Sequence, residues 1–188
     1  MMKKVAIFAS GSGSNFERIM ANIASGYLDH IQVTGLYVDQ ADAYAIERAK
    51  RYAVPVHLFE LSAFDSKAAY EQAILDRLVA DEAEWLILAG YMKLIGPTLL
   101  EPYEGRILNI HPSLLPSFPG KDAMGQAVRY GCRVSGVTVH YVDAGMDTGQ
   151  IIDQVACPVY ADDTVETLQP RIQAIEYELY SRVIKTII

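Results

Sequence analysis

Short apolar runs alternate with longer amphipathic stretches along most of this chain. Residues 5–9 are uniformly apolar, which is typical of a strand buried on both faces of a sheet. From Phe16 to Ala24, apolar residues recur at the spacing of an amphipathic helix. The same alternation predicts further strands at 32–38, 54–59, 85–89 and 107–110, and helices at 41–52, 66–81 and 97–103. Strands separated by helical crossovers predict a mostly parallel sheet with helices on both faces.

The pattern changes after Pro112. Residues 112–120 contain three prolines and predict a loop, and a short helix over 122–130 follows it. Apolar segments at 135–142 and 150–159 predict two strands joined by a seven-residue link. So short a link indicates an antiparallel addition to the sheet.

Residues 163–187 have the pattern of one long helix, with Pro170 inside it. An interior proline costs a helix about 3 kcal/mol. We therefore expect a break near Gln169, or a helix that begins there with Pro170 in its first turn. No repeat or linker divides the chain, so we predict a single α/β domain over 1–188. Its sheet would be doubly wound and Rossmann-like, mostly parallel, with an antiparallel C-terminal strand.

Composition and net charge limit the classes of molecule that this protein is expected to bind. Apolar residues make up 51% of the 188 residues, and the net charge of −7 argues against a nucleic-acid-binding surface, which needs a basic face. Cys132 and Cys157 lack metal-ligand spacing and fit a reduced, cytoplasmic protein. The apolar run at 5–8 is too short for a signal peptide or a membrane span. We expect a cytoplasmic monomer or homodimer that acts on small molecules, without nucleic-acid or membrane partners.

A glycine-containing turn, residues 11–15, joins the first predicted strand to the first helix. Its backbone N–H groups and the partial positive charge of the helix N-terminus favour binding of an anion. Phe16 occupies the third glycine position of the dinucleotide fingerprint, so a single phosphate monoester is the better prediction. Ser14 and Glu17 have the spacing of a capping box. The alternative is a tight turn that only starts a helix.

Asn109 and His111 lie two residues apart at the end of a predicted buried strand. Their side chains therefore point to one face, at the edge where open α/β sheets bind ligands. An amide donor beside a proton carrier suits a reaction that builds negative charge on an oxygen. A structural hydrogen-bonding role is the alternative for His111. Asp147, in a second glycine-containing loop, favours catalysis, because a neighbouring carboxylate orients an imidazole and stabilises its protonated form.

The sequence gives little support for covalent catalysis or for metal binding. There is no G-x-S-x-G nucleophile elbow, and no histidine, cysteine or carboxylate cluster has metal-ligand spacing. We therefore predict neither a covalent intermediate nor a metal. His140 and His57 lie inside predicted strands and His30 near the predicted surface, so we expect each to be structural or solvated.

Distinctive motifs occur along nearly the whole chain, at Ala9–Asn15, Ser62–Ser66, Leu88–Met92, Leu108–Pro116, Gly136–Val142 and Asp147–Ile151. Together they resemble the phosphoribosylglycinamide formyltransferase family, the folate-dependent transformylases of purine synthesis. The Asn-x-His-Pro-Ser-Leu-Leu-Pro segment is shared by formyltransferases in general. The Gly-Ser-Gly-Ser-Asn loop is what narrows the resemblance to this branch.

The resemblance implies direct formyl transfer from 10-formyltetrahydrofolate, as co-substrate, to the glycinamide amine of 5'-phosphoribosylglycinamide through a tetrahedral intermediate. It implies that the catalytic residues are Asn109, His111 and Asp147. The residues it assigns to phosphoribosylglycinamide are Gly13, Ser14, Asn15, Gln173 and Glu176. Those it assigns to the folate are Lys67, Met92, Lys93, Leu94, Ile95, Asn109, Asp143, Ala144, Gly145, Met146 and Asp147. The chain departs from the expected pattern at Lys67, where we expect arginine, and at Tyr177, where histidine is common.

Three other functions remain as alternatives. A formyltransferase acting on methionyl-tRNA is disfavoured by the acidic charge and by the absence of a second, basic domain. A formyltetrahydrofolate hydrolase would be expected to carry an additional N-terminal regulatory domain. A non-catalytic phosphometabolite-binding protein would need the loop at 11–15 but not the trio of Asn109, His111 and Asp147.

Overall fold

The computed structural model describes all 188 residues and contains one seven-stranded sheet. The strands are β1 (Lys3–Ala9), β2 (Ile31–Val38), β3 (Val56–Leu58), β4 (Trp85–Leu88), β5 (Ile107–His111), β6 (Val134–Tyr141) and β7 (Ile151–Pro158). The helices are α1 (Ser14–Ala24), α2 (Ala45–Arg51), α3 (Lys67–Ala80), α4 (Pro97–Leu100), α5 (Ala123–Tyr130) and α6 (Val165–Ile187), with one 3-10 turn at Leu61–Ala63.

The strand order is β3-β2-β1-β4-β5-β6-β7. Strands β1 to β5 are parallel to one another, whereas β6 is antiparallel to β5 and β7 antiparallel to β6. This confirms the predicted doubly wound α/β fold with an antiparallel C-terminal addition. The order reverses between β1 and β4, and at such a reversal the carboxyl ends of the strands leave a crevice for ligands.

Apolar side chains pack on both faces of the sheet. On one face, α1, α2 and α6 bury Phe16, Ala49 and Leu179 against the strands. On the other face, α3 and α4 bury Ile74 and Leu99. The central strands are covered on both sides, which explains why residues 5–9 are apolar without alternation.

Helix α6 runs through Pro170, so the predicted break or late start is wrong. The helix begins at Val165, after a reciprocal cap in which Thr164 and Thr167 each accept the other's backbone N–H. Packing compensates for the hydrogen bond that a proline cannot donate, since Leu168 and Ile172 on either side of it are completely buried.

No helix of this protein combines the length and the apolar character needed to cross a membrane.

Candidate active site

The turn between β1 and α1 exposes a row of unpaired backbone donors. None of the N–H groups of residues 11–16 donates to a backbone carbonyl. Gly13 caps α1 with φ of +73°, a left-handed conformation that glycine adopts without strain, and no side chain caps the helix. The predicted capping box of Ser14 and Glu17 is therefore wrong, and Glu17 instead pairs with Arg48 and Arg51 of α2. Successive unpaired N–H groups at a helix N-terminus form a concave site for an anion.

Asn109 and His111 lie at the carboxyl end of β5, and the antiparallel strand β6 places His140 directly opposite Asn109. Asn109 Nδ2 lies 3.1 Å from His140 Nε2, and His140 Nδ1 lies 2.7 Å from the carbonyl oxygen of Tyr141. Because that carbonyl only accepts, Nδ1 carries a hydrogen, and in the neutral ring Nε2 is the acceptor for one N–H of Asn109. His140 thus fixes the orientation of the Asn109 amide.

Asp147 lies in the loop between β6 and β7, at a positive φ of 55°. Its Oδ2 accepts a hydrogen bond from the backbone N–H of Gly120 at 2.8 Å and lies 3.4 Å from His111 Nδ1. Burial alone would raise the pKa of Asp147. Its interaction with His140, the Gly120 hydrogen bond and the charge of His111 outweigh burial, so the pKa lies below its usual range. Asp147 is therefore a carboxylate at neutral pH.

His140 is the site residue that sequence reasoning missed. The sequence predicted a structural or solvated role, but the residue is 2% exposed and its ring contacts Asn109, with Asp147 Oδ1 3.7 Å from its Nε2. Two signals were available: residue 140 lies in the Gly136–Val142 motif of the family resemblance, and its register position sets it beside Asn109. Residue 140 is opposite 109 only if β6 pairs antiparallel with β5 in one particular register, which periodicity cannot determine.

The loop at 112–120 is attached to both the sheet and His111. The Leu115 N–H donates to Thr138 Oγ1 at 3.1 Å, and Gln154 Nε2 donates to the Leu115 carbonyl at 2.9 Å. Further along the loop, the carbonyl oxygen of Phe118 lies 2.8 Å from His111 Nε2. The first part of the loop is thus anchored on β6 and β7, while the second part holds the imidazole of His111.

One cavity of about 480 Å³ connects these features. Predicted site residues that line it are Asn15, Met92, Lys93, Leu94, Ile95, Asn109, His111, Gly145, Met146, Asp147 and Glu176, and the unpredicted His140 lines it too. Predicted residues outside its lining are Gly13, Ser14, Lys67, Asp143, Ala144 and Gln173. Burial raises the pKa of the Glu176 carboxyl to about 7, against the opposing effect of the neighbouring Asn15 side chain.

The segment from Gly90 to Gly96, on the far wall of the cavity, is held from outside. The Met92 N–H donates to Ser10 Oγ at 2.8 Å, and Gly96 N–H donates to the buried carboxylate of Glu71 at 2.6 Å. Lys67 donates to the carbonyl oxygen of Leu94 at 2.8 Å, so its ammonium helps to hold this segment. These contacts fix the backbone of the segment.

The side chains that could bind a metal ion do not form a cluster in this protein. No set of three or more histidine, cysteine, aspartate or glutamate side chains has an arrangement that could hold a metal ion. Cys132 and Cys157 are both free.

A family profile and a curated relative of similar length both indicate a formyltransferase. The family profile described as formyl transferase matches residues 3–184. The phosphoribosylglycinamide formyltransferase of Bacillus subtilis (strain 168) is 51% identical to this chain over 187 residues, which cover 100% of this chain and 95% of that protein.

Solved structures of similarly named proteins also resemble this fold closely. Glycinamide ribonucleotide transformylase 1 from Geobacillus kaustophilus superposes with a TM-score of 0.96 at 51% identity, covering 99% of this chain and 98% of that one. Phosphoribosylglycinamide formyltransferase from Bacillus halodurans has a TM-score of 0.95 at 48% identity, covering 98% and 94%. The chain therefore belongs to the formyl transferase family and, within it, to the phosphoribosylglycinamide formyltransferases.

Proposed function

We propose that this protein transfers the formyl group of 10-formyltetrahydrofolate to the amine of 5'-phosphoribosylglycinamide, a step of purine biosynthesis. The observation that carries this proposal is the single cavity lined both by Asn15 of the anion-binding turn and by the cluster of Asn109, His111 and Asp147. A phosphorylated acceptor held at one side would present its amine to a formyl group held at the other. Family membership supplies the substrate identities.

The phosphoribosylglycinamide would bind with its phosphate on the N–H groups of Gly13, Ser14 and Asn15. These donors have no competing backbone partner, so they meet the phosphate without first breaking a hydrogen bond of the protein. Glu176 lines the cavity beside Asn15 and would contact the ribose and glycinamide part, with Gln173 supporting it from the same helix.

The folate would occupy the side of the cavity formed by residues 92–95 and 143–147. Three apolar side chains at this side are unusually exposed: Met92 at 62%, Leu94 at 47% and Met146 at 50%. Flexible sulfur-containing and aliphatic side chains of this kind adapt to a flat aromatic ring system. The residues present therefore fit a pteridine, and Lys67 would approach the carboxylates of the folate tail.

The chemistry is an attack of the amine lone pair on the formyl carbon. The new C–N bond forms while the carbonyl electrons move onto oxygen, giving a tetrahedral oxyanion. Asn109 has one N–H held by His140, which leaves its second N–H to donate to that oxyanion. Collapse of the intermediate re-forms the carbonyl and breaks the bond to the folate nitrogen, which leaves with a proton.

His111, assisted by Asp147, would transfer the proton that the attacking amine loses. Asp147 remains ionised and stabilises the protonated imidazole, which can donate to the oxyanion and pass a proton from the attacking to the leaving nitrogen. His111 Nε2 contacts the Phe118 carbonyl in this structure. For Nε2 to reach the oxyanion that carbonyl must move aside, so movement of the second part of the 112–120 loop would accompany substrate binding.

The protein would carry out this reaction in the cytoplasm, as a monomer or homodimer, on small molecules alone. Its two free cysteines support a reducing compartment.

Turnover with a defined acceptor tests the proposal. Purified protein is mixed with phosphoribosylglycinamide and a 10-formyl folate, and release of the deformylated folate is followed. We expect release that depends on the acceptor. No turnover with this acceptor would refute the proposed function, and release without any acceptor would indicate a hydrolase instead.

A further inference from the structure

Helix α2 packs against the proposed anion-binding turn, and none of the residues of α2 lines the cavity. The Ala45 N–H donates to the carbonyl oxygen of Gly11 at 3.0 Å. Arg48, one turn further along, donates from Nε to the carbonyl oxygen of Ser12 at 2.8 Å. Two consecutive carbonyl groups of the turn therefore point toward α2, and each is held by a donor of that helix.

The direction of these carbonyls decides the direction of the neighbouring N–H groups. In a trans peptide the C=O of one residue and the N–H of the next point to opposite sides of the chain. Holding the Gly11 carbonyl turns the Ser12 N–H away from α2, and holding the Ser12 carbonyl does the same for the Gly13 N–H. Both N–H groups lack a backbone partner, as an anion site requires.

The guanidinium of Arg48 is itself fixed. It pairs with Glu17 of α1, lies with its Cζ 5.0 Å from the centre of the Tyr44 ring, and has a side chain that is only 18% exposed. One side chain thus joins α1, α2 and the turn between β1 and α1.

Arg51 provides an internal comparison. It pairs with the same carboxylate of Glu17 at 3.1 Å and contacts Tyr44, through its hydroxyl at 2.8 Å, but it donates nothing to the turn and is 52% exposed. The two arginines therefore share Glu17 and Tyr44 as side-chain partners, whereas only Arg48, the more buried of the two, contacts Ser12.

We propose that Arg48 is a positioning residue for phosphate recognition, which it serves by orienting the Ser12–Gly13 peptide without touching the ligand. The inference rests on the proposed phosphate site. Glycine is conformationally permissive, so a peptide group followed by Gly13 rotates readily unless its carbonyl is held. Arg48 supplies that restraint, and the Gly13 N–H remains directed at the phosphate.

The test compares Arg48→Ala, Arg48→Lys and Arg51→Ala with wild-type protein. KM is measured separately for phosphoribosylglycinamide and for the 10-formyl folate, and the dissociation constant of inorganic phosphate is measured by calorimetry. Arg48→Ala should raise KM for the phosphorylated substrate and weaken phosphate binding by about tenfold, as expected when one hydrogen bond to a charged group is weakened. KM for the folate and kcat should change little.

The other variants separate positioning from general structure. Arg48→Lys should recover part of the phosphate affinity, because an ammonium can still donate to the Ser12 carbonyl although it loses the planar geometry of a guanidinium. Arg51→Ala should bind phosphate nearly as wild type does. Thermal unfolding of each variant identifies any loss of folded protein, and if Arg48→Ala does not fold, the comparison rests on Arg48→Lys and Arg51→Ala.

Equal weakening of phosphate binding in the Arg48 and Arg51 variants would overturn the inference, and so would unchanged binding in folded Arg48→Ala. A rise in the folate KM of the same size would also overturn it, because that result would indicate a general disturbance. The outcome is separate from that of the proposed function: if wild-type protein binds phosphate but gives no turnover, the function is wrong while Arg48 is still tested by phosphate binding.

Discussion

The two chemically important regions of this protein are built in opposite ways. The proposed anion-binding turn is one continuous segment, residues 11–15, and would act through backbone N–H groups. The proposed catalytic cluster comes from β5, β6 and the loop after β6, and would act through the side chains of Asn109, His111, His140 and Asp147. A backbone site of this kind is recognisable from local sequence, whereas a side-chain site depends on how strands pair.

The same difference predicts different sensitivities. Side chains in the turn can vary as long as Gly13 keeps its left-handed conformation and α2 keeps its place. In the cluster each side chain supplies a specific donor, acceptor or charge, so a single truncation leaves a partner unsatisfied. Substitutions in the cluster should lower kcat, and substitutions in the turn should affect substrate binding and stability.

The largest expected effect is on the rate. Asn109→Ala or His111→Ala removes a donor to the oxyanion, and loss of one such donor typically lowers kcat by about 10²–10³-fold. Binding of phosphoribosylglycinamide should be unchanged, because the phosphate donors lie in the turn. Single-turnover rates and calorimetric affinity measure the two quantities. A near-normal rate in either variant would remove that residue from the mechanism.

Glu176, beside the turn, should make stability depend on pH. Burial raises the pKa of the folded protein's Glu176 to about 7 from an ordinary 4.5. Between these values the unfolded chain releases the proton and the folded chain retains it, so stability falls as pH rises through this window. Glu176→Gln should be more stable than wild type by about 3 kcal/mol above pH 7. Urea unfolding from pH 4.5 to 8 measures the difference.

Glu178→Gln, at an exposed position of the same helix, is the matched control. Its difference from wild type should not vary with pH over the same range. If Glu176→Gln and Glu178→Gln gave parallel curves, burial of Glu176 would not govern its ionisation.

Gly13→Ala should damage the turn in two ways. The left-handed φ of +73° costs an alanine about 1–2 kcal/mol, and its Cβ would lie 2.6 Å from the Cβ of Ala45 in α2. We expect a loss of about 2 kcal/mol in the free energy of unfolding and a raised KM for the phosphorylated substrate. Gly11→Ala is the comparison, since its Cβ would meet no atom within 4 Å, and its loss of stability should be clearly smaller. Equal losses would contradict this account.

The smallest predicted effect concerns His140. His140→Phe keeps a ring in the buried space but removes the acceptor that orients Asn109, so kcat should fall by about tenfold, the value of one hydrogen bond. KM for phosphoribosylglycinamide should not change. His57→Phe, in β3 and away from the cavity lining, is the control and should leave kcat unaffected. An unchanged kcat in His140→Phe would show that the Asn109 amide is oriented without it.

Most of the strands and helices, and the antiparallel hairpin, could be predicted from the sequence, whereas the start of α1 could not. Periodicity identified the strands and helices because buried strands and amphipathic helices impose different spacings of apolar residues. The link at 143–149 indicated the antiparallel hairpin of β6 and β7. The capping box of Ser14 and Glu17 failed because Arg48 and Arg51, on another helix, compete for the same carboxylate.

The sequence by itself determined the α/β alternation, the glycine turn at 11–15, and the shared direction of Asn109 and His111, since each depends on neighbours a few residues apart. Tertiary structure alone decided the rest. His140 entered the cluster through strand register, Arg48 reached the Ser12 carbonyl through the packing of α2, and Pro170 was accommodated because buried neighbours hold α6 together. These contacts join distant parts of the chain, and their energies come from burial and pairing that no local pattern records.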